Sequence, residues 1–277
     1  MTNAPATNVT GPTRFGKTFL VLFALGVPGV LALIPMVIGQ LEALPPELMD
    51  LPMPVVLALS LLNPLILLAI SVAVGVLLAH RVGLRSLVAE RVRQGTAIWP
   101  RLRPYLGMAF VAGLIFAVVV LGLDALINPF AGTALANTPT TGETATIGAL
   151  LTQLLLGLLY GGIVEELLLR WGVMTLFVWI GWWATQRGQG TAHPALVWTA
   201  NILAALLFGI GHLPALAAMV TLTPLIVIRT VLLNALGGVL FGWLFWKRNL
   251  ETAMVAHAAT HVGFFILNAG YLLLNLG

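Results

Sequence analysis

Seven ionisable side chains in the apolar second half of this chain have types and spacings that could do chemistry: Glu165, Glu166, Arg170, His212, Arg229, His257 and His261. A charged residue at bilayer depth costs about 2.5–3.5 kcal/mol on insertion scales, so each is a candidate for function. In the run from Gly161 to Arg170, Glu166 and Arg170 are four apart, with the glutamate first, and share a helical face. Glu165 lies about 100° round the helix from Glu166. Arg170 can therefore neutralise Glu166 and leave Glu165 available. Two adjacent carboxylates repel one another, which suits one of them to proton shuttling. An ion pair of this kind can also simply lock helices together, but Glu165 has no partner in its own helix. Gly161 and Gly162 remove bulk one turn earlier and admit another helix or a substrate backbone. Phe208 sits one turn before His212, where its ring can wall the imidazole from lipid, and Pro214 bends or ends that helix. His257 and His261 are one turn apart, separated by small residues.

The elements that must position these groups are membrane spans. Hydrophobic residues make up 60% of the 277 residues and charged residues 8%; a soluble domain carries roughly 25% charged residues. Cysteine is absent, which excludes disulfides, thiolate metal sites and cysteine nucleophiles. The net charge of +4 comes from arginines grouped between apolar stretches, a topology signal rather than a sign of nucleic-acid binding.

A span needs about 20 apolar residues. Candidates are Phe19–Ile38, Val55–Ala79, Tyr105–Ile127, Ala195–Leu222, Leu225–Trp246 and Ala253–Leu276, with one long segment, Ile147–Ala184. That segment must tilt, bend, run along the interface or break in two. The expected fold class is all-α, a polytopic transmembrane helical bundle of seven spans, with eight as the alternative. Six arginines from Arg81 to Arg103 mark one loop as cytoplasmic. The loops before and after it, with Glu42, Glu47 and Asp50 in the first and Asn128 to Thr146 in the second, hold no Lys or Arg. Seven crossings place Arg187, Lys247 and Arg248 on the arginine side and the amino terminus inside. The first apolar segment reads as a span and not a cleaved signal peptide, and the expected location is a bacterial plasma membrane. Two units follow: a scaffold of three spans over 1–146 and a polar-core bundle over 147–277. Trp179, Trp182, Trp183, Trp243 and Trp246 read as interfacial anchors, and His80 and His193 as solvated residues. Asn201, Asn234 and Asn268 read as interhelical hydrogen-bonders, and Arg229 as a side chain that snorkels. Glu165 and His212 stand at similar depth in helices joined by the Arg187 loop, and His257 lies inside the last helix, so all three can meet in the bilayer.

In this order the pieces resemble the motif set of the CPBP family of CAAX-type intramembrane endopeptidases, which is EExxxR, FxxxH and HxxxN. Glu165, Glu166 and Arg170 fit the first, Phe208 and His212 the second, and His257 the third; His261 stands where the family has Asn. The resemblance spans about Ile147 to Leu276. It implies hydrolysis of peptide bonds in membrane-associated peptide or protein substrates, with the lipid bilayer as the other partner. It also implies that Glu165 and His212 activate water, while His257 with position 261 stabilises the oxyanion. Glu166, Arg170 and Phe208 would support them. The histidine at 261 would make activity depend on pH near neutrality. Metal-free glutamate chemistry is favoured, so no cofactor is expected. The i, i+4 spacing of His257 and His261 also suits zinc, with Glu165 and His212 completing a tetrahedron, although no glutamate lies between the histidines as in HExxH. Two other classes stay open: a non-catalytic bacteriocin-immunity or scaffolding protein, and a proton or metal-ion transporter.

Overall fold

The computed structural model describes residues 12–42, 51–130 and 146–275. Glu47, Asp50 and most of the loop after Asn128 lie outside them. The described residues are helical, without strands, and seven helices are long and apolar enough to cross a membrane.

Prolines and caps divide the first half. Helix α1 (Pro12–Leu31) and α2 (Ile34–Glu42) are separate, where an unbroken Phe19–Ile38 was expected. Pro35 has no N–H to offer and crowds the carbonyl one turn back, so the chain turns at Ala32–Leu33. Helix α3 runs Met53–Leu78. The arginine-rich connection folds into α4 (Leu87–Gln94), which hydropathy did not reveal. Ser86 Oγ accepts from the Ala89 amide at 3.1 Å to start it, and Gly95, with φ 75°, closes it. Helix α5 (Trp99–Ile127) begins six residues before the expected Tyr105. It turns Val111, Ile115 and Val118 outward, toward lipid.

The second half opens with the segment too long for one upright crossing, and it neither breaks nor forms a hairpin. Thr146 caps α6 (Ile147–Leu156); the helix then widens into a π-helical stretch from Gly157 to Met174 and returns to α winding in α7 (Thr175–Gln186). Arg187, at φ 51°, ends it. Helices α8 (Pro194–Gly211) and α9 (Leu213–Ala217) meet at His212, just before Pro214, the break expected there. Thr223 caps α10 (Pro224–Lys247), and α11 (Leu250–Asn275) completes the chain.

The π stretch is the centre of the molecule, packed by α1, α3, α8 and α11, while α5 lies along α11 and α8 along α10. Leu167, Trp171 and Met174 join Leu68, Val72, Val76, Phe241 and Phe245 in one core. Asn201 joins α8 to α10 as expected, its Nδ2 donating to the Val239 carbonyl at 3.0 Å. Asn234 instead donates within its own helix, to the Thr230 carbonyl at 2.8 Å. Arg229 does not snorkel: it pairs with Asp124 and ties α10 to α5.

Candidate functional site

The widened winding aligns the site. In an i→i+5 helix more than four residues fill each turn, so positions four or five apart stack in a row. Gly157, Gly161, Glu166 and Arg170 follow at intervals of four, five and four. The α winding assumed from sequence would spread them round the helix; π winding turns them toward α11 and α8. Thr175 marks the same register, its Oγ1 donating to the carbonyl of Arg170 five residues back at 3.1 Å.

The glycines are seats for the histidines. A Cβ on Gly157 would collide with the His261 ring, and one on Gly161 would lie 2.6 Å from His261 Nε2 and 3.4 Å from His257 Nε2. Gly162 makes room for a different neighbour, Ala258. Two small residues one row apart thus receive two imidazoles one turn apart. Those rings stack, with centroids 5.2 Å apart at 21°.

The row's charged end is buried. Glu166 and Arg170 are 0% and 2% exposed, with Arg170 Nη1 3.2 Å from Glu166 Oε1. That contact is close enough to pair but is not aligned as a hydrogen bond, so both terminal nitrogens of Arg170, together with Glu166 Oε2, have no hydrogen-bond partner. The guanidinium lies over Phe208 and Phe241, 4.8 and 5.5 Å from their ring centres, an arrangement that stabilises a desolvated cation. His257 Nδ1 meets Glu166 Oε1 at 2.8 Å. With Glu166 ionised, Nδ1 carries the proton; with the proton on Glu166, Nδ1 accepts it; in either case Nε2 faces Glu165.

Glu165 stands differently. Its Oε1 is 3.8 Å from His212 Nε2, and its Oε2 is 3.7 Å from His257 Nε2. Both separations exceed direct hydrogen-bond reach and match a bridge through one water molecule. His212 Nδ1 lies 2.8 Å from the Phe208 carbonyl, which can only accept. The proton therefore sits on Nδ1, and Nε2 presents a lone pair toward Glu165. The His212 side chain is 35% exposed and that of Glu165 15%, so this side of the site is open while the Glu166 side is sealed.

All seven residues singled out in the three motifs therefore come together: Glu165, Glu166, Arg170, Phe208, His212, His257 and His261. Phe208 packs edge-on against His212 at 4.7 Å and against His257 at 5.9 Å. Phe241 escaped sequence reasoning, although its ring stacks on His257 at 4.4 Å and 17°. Its signal was the preceding Gly237–Gly238 pair, at which α10 approaches Phe116 of α5 and Ala205 of α8. Gly157 was missed as well, because its place in the row exists only in π winding. A zinc tetrahedron needs ligand atoms about 2 Å from a common point; among the described residues no three His, Asp or Glu side chains converge in that way.

Comparison with protein families matches residues 147–263 to the family described as Type II CAAX prenyl endopeptidase Rce1-like. No curated protein and no solved structure matches the chain.

Proposed function

Because residues 147–263 match the family described as Type II CAAX prenyl endopeptidase Rce1-like, we propose that this integral membrane protein is an intramembrane endopeptidase that hydrolyses peptide bonds of membrane-associated substrates through water activated by Glu165 and His212. The observation that supports this most is the pair of separations around Glu165: one carboxylate faces two imidazole nitrogens at 3.7 and 3.8 Å, a distance suited to a shared water.

A water held there gives its proton to Glu165 or to the Nε2 lone pair of His212 as it attacks the scissile carbonyl. His257 stands on the other side of Glu165. With the resting proton of that contact on Glu166, Nδ1 accepts from the carboxyl and the Nε2–H of the neutral ring donates to the oxyanion. Such a donor contributes about 2.7–4 kcal/mol in hydrolases. His261, stacked behind His257 where the family carries Asn, is the second donor. Arg170 holds Glu166 to His257, so its part is positioning. The leaving amine recovers the proton from Glu165 or His212.

The test is cleavage of membrane-anchored peptides by purified protein in liposomes, with and without chelator. Glu165→Gln and His212→Ala are each expected to lower kcat by about 10²–10⁴-fold with unchanged unfolding midpoints, and chelator is expected to have no effect. Loss with chelator and recovery with zinc would move the mechanism to a metal-bound water. Full activity in both variants would sink the catalytic reading and favour a scaffolding or immunity protein.

A further inference from the structure

On the arginine side a cavity of about 360 Å³ is lined by His80, Arg85, Glu90, Arg93, Gln94 and Trp171, among others. Its cations are not equivalent. Arg85 and Arg101 share the Glu90 carboxylate. Burial alone would raise Glu90, but hydrogen bonds from the two arginines outweigh it and hold the carboxyl below its usual range. Arg93 is half-buried and donates to the Val76 carbonyl. Among the described residues no carboxylate lies within ion-pair distance of it, and burial holds it below the ordinary arginine range. A cation in that setting lacks its counter-charge.

The second unmet demand comes from Trp171, which follows Arg170 on the π stretch. Its ring is 2% exposed, fills the space over Gly75 of α3 and meets Phe245 edge-on at 6.4 Å. Its indole N–H has no hydrogen-bond partner. Buried donors in folded proteins are nearly always satisfied, so an orphan calls for an acceptor. The Arg93 guanidinium and the Gln94 amide border one cavity with Trp171, whose buried N–H packs against Gly75; together they suit an anion that offers several acceptor oxygens. Arginine recognises phosphoryl groups in this way.

The location narrows the source. The cavity lies where α3 ends its apolar run at His80 and Arg81, and Trp99 at the start of α5 is 62% exposed, as residues at the headgroup level are. We propose that this cavity binds a phosphate anion through Arg93, Gln94 and Trp171. The phosphodiester of an acidic lipid headgroup and free inorganic phosphate share that chemistry.

The experiment follows the unfolding midpoint of the full chain in neutral detergent with dioctanoylphosphatidylglycerol, with dioctanoylglycerol, and with inorganic phosphate. Two variants accompany the wild type: Trp171→Phe, which keeps the ring over Gly75 and deletes only the N–H, and Arg93→Met. The phosphatidylglycerol is expected to raise the wild-type midpoint by about 5 °C near saturation, and dioctanoylglycerol to leave it unmoved. Either variant is expected to lose most of that rise. An equal, variant-sensitive rise with inorganic phosphate keeps the site and assigns it to the free anion. The proposal is overturned if neither phosphate compound shifts the wild type, if the shift survives in whichever variants fold, or if dioctanoylglycerol matches the phospholipid.

Discussion

Two buried carboxylates, one at the start of α11 and one bonded to His257 further along it, show how the same group can serve two ends. Glu251, at the start of α11, is 8% exposed and fully occupied. It accepts from Ser86 Oγ at 2.7 Å and from the amides of Leu87 and Val88 at 2.8 and 3.0 Å. The Leu250 amide adds a bond to the Arg85 carbonyl at 3.0 Å, and Asn249 Oδ1 accepts from the amide and hydroxyl of Thr252. This knot fastens α4 to α11 with both oxygens of Glu251 partnered. Glu166 is more deeply buried, yet it has an unpartnered oxygen, an arginine aligned imperfectly with it, and a neighbouring carboxylate whose two imidazole partners lie beyond hydrogen-bond reach. Saturation marks the carboxylate that holds the fold together. Spare capacity at still deeper burial is what the proposed reaction asks of the other.

That contrast can be broken by mutation. Arg170→Met breaks the buried pair with Glu166 and is expected to cost about 3–5 kcal/mol, read from denaturant unfolding in detergent. Glu251→Ala leaves two amides and a hydroxyl to find other partners and is expected to cost about 1–3 kcal/mol, with activity per folded molecule unchanged. If Glu251→Ala instead abolished cleavage in protein that is still folded, the division between knot and reaction centre would be wrong. The smallest effect is expected from His261→Asn, which gives the HxxxN pattern of the resembling family over the Gly157 seat. Cleavage in the liposome assay is expected to persist, because an amide N–H can donate to the oxyanion as an imidazole N–H does.

Which features could be read from sequence follows from how local their causes are. Spans came from hydropathy, and the cluster from the cost of charge in lipid, because both are properties of short windows. The break at His212 was visible in Pro214, and the Asn201 bridge in an amide placed among apolar residues. Other features depended on winding and partner choice. Nothing in GLLYGGIVEELLLRWGVM announces i→i+5 bonding, so Gly157 stayed hidden and Glu165 was placed by α geometry. Arg229 looked like a snorkelling residue because its partner, Asp124, lies 105 positions away. The Glu251 knot was invisible for the same reason, 165 positions separating it from Ser86.

The π stretch also works as a vernier. Its four aligned positions face a seat built by other helices, which do not move when this chain segment changes length. Delete one residue between Gly161 and Glu165 and every chemical group of the site is still present, yet the carboxylates slide one notch against the imidazoles and leave their row. Substitution and length are therefore unequal liberties here. Many outward positions can exchange one apolar residue for another, while the number of residues between glycine and glutamate is fixed by the gearing. Counting, as much as residue identity, specifies this site.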